Sequence, residues 1–178
     1  MTAIATPEQV IPSGTWNVDP THSQVDFAVS HLGISTVRGT FSDFSATLVG
    51  GEAPSLTGSI RLASVSTKDP DRDAHLSSPD FFDTERYPEA AFEATFISPE
   101  QLVGNFTLKG VTREIELAAS LTGPSTDPYG NERIGLELEG EIDRTDYGIS
   151  FNMPLPTGGL MLGNTVKLFA SLSFVKEA

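Results

Sequence analysis

Gln24-Val25-Asp26-Phe27-Ala28-Val29-Ser30-His31 places Val25, Phe27, Val29 and His31 on one face of an extended chain. Gln24, Asp26, Ala28 and Ser30 fall on the other. Alternation with period two marks a strand with one dry side. The rhythm returns in Phe92-Ala94-Phe96, in Leu102-Gly104-Phe106-Leu108 and in Arg113-Ile115-Leu117-Ala119-Leu121. It returns again in Ile134-Leu136-Leu138-Gly140-Ile142 and in Val166-Leu168-Ala170-Leu172-Phe174. Turn clusters separate these runs: Gly50 to Pro54, Gly123 to Asn131 and Pro154 to Gly159, with a tight hairpin at Lys109-Gly110-Val111. About eight strands with short connections make an antiparallel all-β fold, closed into a barrel or stacked as a sandwich.

Two segments break the rhythm. Asp71 to Tyr87 offers helix caps at Asp71 or Asp73 and a second start at Ser78-Pro79, so one or two short helices should cap an open end of the sheet. Arg144 to Leu162, rich in Gly, Pro and Met, reads as a long irregular loop or distorted edge. An eight-stranded barrel has an interior that side chains fill or that holds one small ligand. Eleven Phe and the small residues Ala28, Gly39, Ala94, Gly104, Ala119, Gly140 and Ala170 lie in or beside the strands. Periodicity alone leaves both interiors open.

The chain has 178 residues, enough for one domain, with 38% hydrophobic and 20% charged side chains. Residues 1–14 read as a flexible lead-in and 15–178 as the folded domain. Acids outnumber bases 24 to 11, a net charge of −13. Nucleic acid, whose phosphates are neutralised by Lys and Arg, is therefore not an expected partner. Without Cys there is no disulfide, thiol catalysis or thiolate-bound zinc. Met1 to Pro20 lacks a basic start and an apolar core, so no secretion signal is read and a cytoplasmic location is expected. No run approaches the roughly 20 apolar residues of a spanning helix.

Catalytic and metal signatures are weak. Asp69, Asp71 and Asp73 imitate the first acids of a calcium loop, but Ala74 replaces the sharp-turn Gly and Asp80 the bidentate Glu. His22 and His31 fall on opposite strand faces, so with His75 the three histidines of the chain form no expected metal centre. No cofactor is expected. Nucleophile elbow, P-loop and dinucleotide glycine motifs are missing. His31, which continues the apolar face of Phe27 and Val29, is either a core histidine or a polar contact within a lumen.

Three segments, taken together, resemble the YceI-like family of polyisoprenoid-binding proteins. The first is Trp16-Asn17-Val18-Asp19-Pro20-Thr21-His22-Ser23, running through Val25-Asp26-Phe27 to His31-Leu32-Gly33 and Val37-Arg38-Gly39-Thr40-Phe41. The second is Arg72-Asp73-Ala74-His75-Leu76 with Asp80-Phe81-Phe82-Asp83 and Tyr87-Pro88. The third is Gly104-Asn105-Phe106-Thr107-Leu108-Lys109-Gly110-Val111-Thr112, with Arg144-Thr145-Asp146-Tyr147-Gly148 beyond it. The resemblance covers most of the chain from Trp16 to Phe174. It implies an antiparallel, lipocalin-like barrel whose apolar channel holds an isoprenoid or similar long-chain lipid, without agreed enzymatic activity and as a homodimer. Many relatives carry a secretion signal and work in the periplasm.

Strand parity then points Phe27, Val29, Val37, Phe41, Ile60, Leu62, Phe92, Phe106 and Leu108 inward, with His31 beside them. Phe81 and Phe82 should close the mouth, and Met153, Leu160, Met161 and Leu162 should form a pliable rim. Head-group candidates are Arg72, His75, Arg144 and Asp146, with ion pairs of the two arginines to Asp73 or Asp146 as the structural alternative. At roughly 0.3 kcal/mol per heavy atom, an isoprene unit nets about 1.5 kcal/mol. Five or six units then reach about micromolar affinity by tail alone. The expected function is non-catalytic carriage or sequestration of such a lipid. Two alternatives stand: an enzyme using His31, His75 or Asp146 as general acid or base, and a filled barrel serving as an interaction module.

Overall fold

The alternating runs all become strands, and every neighbouring pair is antiparallel. The computed structural model describes residues 11–178. Its order is β1 (Gly14–Val18), β2 (Gln24–His31), β3 (Ser35–Phe41), β4 (Phe44–Gly50), β5 (Ser55–Arg61) and β6 (Val65–Ser66). After α1 (Pro70–Ser77) come β7 (Glu89–Ile97), β8 (Gln101–Leu108), β9 (Val111–Thr126), β10 (Glu132–Asp143) and β11 (Leu162–Lys176). Short interruptions divide what are physically single staves. A 3-10 turn at Pro20–His22 separates β1 from β2, Ser42 and Asp43 separate β3 from β4, and Leu62–Ser64 separates β5 from β6.

Closure comes from β11, which pairs with β10 along one edge and with two partners along the other. Leu162 to Ser171 lie beside β2, and Phe174 to Lys176 lie beside β1. The result is a closed barrel of eight antiparallel staves in up-and-down order. Among the described residues closure leaves no long strand edge exposed. In the β8–β9 hairpin both turn residues, Lys109 (φ 50) and Gly110 (φ 76), are left-handed, as a two-residue primed turn requires.

Three local expectations are corrected. α1 is capped by Asp69, not by Asp71 or Asp73: its side chain accepts from the backbone N–H of Asp71 and Arg72 at 3.1 and 3.2 Å, and Pro70 takes the first helical position. Ser78-Pro79 opens no second helix, only turns. The turn cluster expected from Gly123 is half strand, because β9 runs to Thr126 and absorbs Gly123-Pro124 as a bulge opposite Ile134.

The two barrel ends differ. At one end Trp16, Leu48, Leu102, Ile134 and Phe174 are essentially inaccessible and form a plug. Trp16 satisfies its indole N–H on the Pro12 carbonyl at 3.1 Å. Of the expected lead-in, residues 1–10 lie outside the described residues. Ile11 is instead buried in the plug, its carbonyl accepting from Gly51 at 3.1 Å, because its side chain completes the apolar floor. At the other end the wall is breached: among the described residues β6 pairs only with β3, and the segment from Thr67 to Pro88, α1 included, fills the gap. Lys109 Nζ ties this cap to the β8–β9 turn by donating to the Pro79 carbonyl at 2.7 Å.

Candidate functional site

Between plug and cap the barrel is hollow. The space measures about 330 Å³, at the small end of the roughly 300–1,000 Å³ usual for ligand pockets. Phe27, Val29, His31, Val37 and Phe41 from β2 and β3 stand on its wall. So do Ile60 and Leu62 beside the β5–β6 break, Phe92 from β7, and Phe106 and Leu108 from β8. The cap contributes Phe81 and Phe82, and Met161 and Leu162 line the space where the chain enters β11.

The cavity stays open because two large rings fold against the wall. Gly39 pairs directly with Phe27, and a Cβ there would stand 2.3 Å from two atoms of the Phe27 ring. Gly104 gives the Phe92 ring the same room, with a Cβ there only 2.6 Å from its Cζ. Side chains at either position would drive a ring into the lumen.

Sequence parity missed part of the wall although its signal was present. Ile115 and Leu117 share the rhythm of β9, Leu138 and Ile142 that of β10, and Leu168 and Leu172 that of β11. Ile149 and Phe151 also line the space, from a segment without periodicity. Two rim expectations are corrected. Met153 and Leu160 are off the wall, 53% and 54% exposed, because the Pro154–Leu160 bridge folds that limb of the loop outward. Asn152 fixes the bend, its side chain exchanging hydrogen bonds with the Leu162 backbone at 2.8 and 2.9 Å.

Of the polar candidates, Arg72, His75 and Arg144 are on the wall, and Asp146 is not: it is exposed in the 3-10 turn Arg144–Tyr147. Arg72 and His75 are exposed to solvent as well as to the cavity, so the space reaches the surface beside α1. Neither arginine makes the ion pair held open for it. Arg72 donates to the hydroxyl and carbonyl of Thr67 at 2.7 and 2.8 Å. Asp73 instead accepts from Thr67, at 2.8 Å from its N–H and 2.6 Å from its hydroxyl.

Arg144 is 4% exposed. Its Nε donates to Gly163 O at 2.8 Å, and its Nη1 to Ile149 O and Phe151 O at 2.8 and 2.9 Å. Burial pulls its pKa below the usual arginine value, only partly offset by the charge of Asp143. Burial likewise pushes up the phenol of Tyr147, which packs edge-on against Phe106 at 5.7 Å.

An aromatic series lines the mouth. The Phe27, Phe41 and Phe82 rings meet at 5.5 to 6.5 Å. His75 lies 4.9 Å from both Phe81 and Phe151, and its Nε2 is 2.9 Å from Asp80. Among the described residues no three of His, Asp and Glu gather as metal ligands, and no helix is long and apolar enough to cross a membrane.

The YceI-like domain model matches residues 16–174, and the chain belongs to that family. A UPF0312 protein of Staphylococcus epidermidis is 40% identical over 164 residues, covering 89% of this chain and 96% of that one. Among solved structures, Burkholderia cenocepacia BcnA superposes with a TM-score of 0.75 at 20% identity, over 88% of this chain and 98% of its own. A polyisoprenoid binding domain from Saccharophagus degradans, implicated in plant cell wall breakdown, superposes with a TM-score of 0.68 at 17% identity, over 91% and 98%. These two likenesses concern the fold.

Proposed function

We propose that this protein binds an isoprenoid or similar long-chain amphiphile in the barrel and carries or sequesters it without chemical change. The observation that carries this reading is the apolar cavity sealed by the Trp16–Phe174 plug and reaching solvent beside α1. A hydrocarbon tail gains roughly 0.8 kcal/mol per buried CH₂ before binding costs, so such a wall needs little polar help. The polyisoprenoid binding of the Saccharophagus domain supports the same ligand class for this barrel.

The test is native mass spectrometry of freshly purified protein, with organic extraction of any adduct. A long-chain lipid mass, and uptake of a neutral apolar fluorophore displaced by geranylgeraniol, is the expected result. No adduct and no uptake would leave the interaction-module alternative standing. The enzyme alternative has less support, since Asp146 is off the cavity wall and the His75 ring already has Asp80 on Nε2. Turnover of a bound lipid that His31→Ala or His75→Ala abolishes would overturn the carrier reading.

Homodimerisation is part of the same proposal. Leu32, Ile34, Met153 and Leu160 are exposed apolar residues on loops that hydrogen-bond through Met161, and they support self-association at the open end. Sedimentation should show a dimer that Ile34→Asp dissociates.

A further inference from the structure

We infer that the uncharged rim at the open end docks on a lipid bilayer, so that cargo passes between membrane and barrel without crossing water. The inference rests on the lipid-binding reading and names the surface with which the cavity exchanges. Among the described residues, four of the six exposed large apolar side chains gather here. They are Leu32 and Ile34 at the β2–β3 turn, and Met153 and Leu160 on the hairpin before β11. Ile34 is 84% exposed. Leu32 has φ 57, a left-handed setting that a bulky apolar residue adopts at a cost, and here it does so at an exposed tip. The surrounding sequence is bare of charge. Residues 27–37 and 147–166 contain no Asp, Glu, Lys or Arg, in a chain with 20% charged side chains.

The tips suit an apolar phase, because backbone groups that hydrocarbon would leave unpaired are bonded within the rim. Leu32 N–H donates to Met161 O at 2.7 Å, and Ile34 N–H to His31 O at 3.2 Å. Met161 N–H donates to Met153 O at 2.9 Å, and Leu155 N–H to Gly159 O at 3.0 Å. The rim is continuous with the cavity. Met161 and Leu162 are on the wall, while Met153 and Leu160 face solvent beside the Pro154–Leu160 bridge. Phe151, also on the wall, packs on His75 of α1, beside which the cavity opens. A long-chain lipid leaving a bilayer through this end keeps its tail on apolar surface throughout. The proposed dimer covers the same rim in solution, but it gives the cargo no route to the membrane that dissolves it. For exchange the bilayer must replace the second copy. The acids select the kind of bilayer: Glu116, Glu137, Glu139 and Glu141 are exposed on the barrel's flank, and a net charge of −13 is repelled by anionic lipid. A zwitterionic surface offers the apolar contact without that repulsion.

The test uses the full chain, whose lack of Cys allows one label at a chosen position. Ile34→Cys and Tyr129→Cys are each coupled to an environment-sensitive fluorophore. Tyr129 is 89% exposed on the β9–β10 turn beyond the plug, so both labels begin in water and both proteins should keep the wild-type Tm. Phosphatidylcholine vesicles carrying a doxyl-labelled lipid should quench the label at position 34 severalfold more than the label at position 129. Leu160→Asp should weaken vesicle binding about tenfold or more, since an apolar contact is lost and a charge is brought to the interface. Added phosphatidylserine should weaken binding at low ionic strength, and about 1 M salt should relieve the effect.

No vesicle binding by wild type that still takes up an apolar fluorophore would overturn docking and leave lipid binding intact, whereas failed uptake would overturn lipid binding itself. Equal quenching of the two labels, or undiminished binding by folded Leu160→Asp, would overturn the rim as the docking face. So would tighter binding to phosphatidylserine, which would assign docking to basic side chains. A label at position 34 that responds to protein concentration and not to vesicles would make the rim a dimer face alone.

Discussion

The two ends of this barrel use the same residue types to opposite purpose. At the plug, Trp16 and Phe174 from the first and last staves meet Leu48, Leu102 and Ile134 so tightly that almost nothing is accessible. At the cap, the Phe27, Phe41 and Phe82 rings meet at 5.5 to 6.5 Å and Phe81 packs on Phe151, yet together they surround empty space. The difference lies in what stands across from each ring. Plug rings meet branched aliphatic side chains, which fill volume. Two of the wall rings, Phe27 and Phe92, lie over Gly39 and Gly104, which supply none. One end is built for stability and the other for occupancy, and substitutions at the two ends should separate these properties.

The largest effect belongs to the plug. Phe174→Ala removes a ring with no accessible surface and should cost about 3–5 kcal/mol, lowering Tm by roughly 6–20 °C. Ligand uptake by the protein that remains folded should be unchanged. Calorimetry with a fluorophore titration checks both, and a lost uptake at normal Tm would erase the distinction. Ile60→Trp reverses the pattern. Ile60 is half-buried on the cavity wall, paired with Phe44 and Ala90, so an indole there extends into existing space. Uptake should fall about tenfold or more, with a stability change below about 1 kcal/mol.

Gly39→Ala sharpens the comparison with a single methyl. The added carbon must displace the Phe27 ring into the lumen, at a cost of about 1–3 kcal/mol and with uptake weakened severalfold. Much of this site was legible in the chain. Val25, Phe27 and Val29 alternate without interruption, and so do Phe106 and Leu108, so their shared inner face follows from period two alone. The Gly39–Phe27 arrangement was not legible, because it needs the register between two strands, and register depends on pairs distant in sequence. The plug was hidden for the same reason: Val18 meets Phe174 only when β11 switches partner from β2 to β1. Ile149, Phe151 and two of the three carbonyls on Arg144 come from a stretch with no periodicity, where only the folded path of the backbone says who faces the cavity.

The smallest predicted effect tests whether the plug end is also the acid-sensitive end. Arg133 lies beyond the plug, where it donates to Asp127 at 2.7 Å and to Asp19 at 2.9 Å, joining the β9–β10 turn to the β1–β2 break. Hydrogen bonds from His22 and from Arg133 hold the Asp19 carboxyl down at about 2, against an ordinary 3.8. Arg133, then Asn131, lowers Asp127 as well. A carboxyl that is more acidic folded than unfolded binds fewer protons in the native state. It therefore stabilises the fold above its unfolded pKa, and that contribution fades as pH falls from about 3.8 through about 2. Arg133→Met should lower Tm at neutral pH by a small amount, these groups being near the surface, and the gap to wild type should close across that acid window. His22 still bonds Asp19 in the variant, so Asp127 should dominate the change. Tm measured against pH for both proteins decides it. A gap that stays constant down to pH 2 would mean that Arg133 acts through packing of its alkyl stem and not through its two carboxylates.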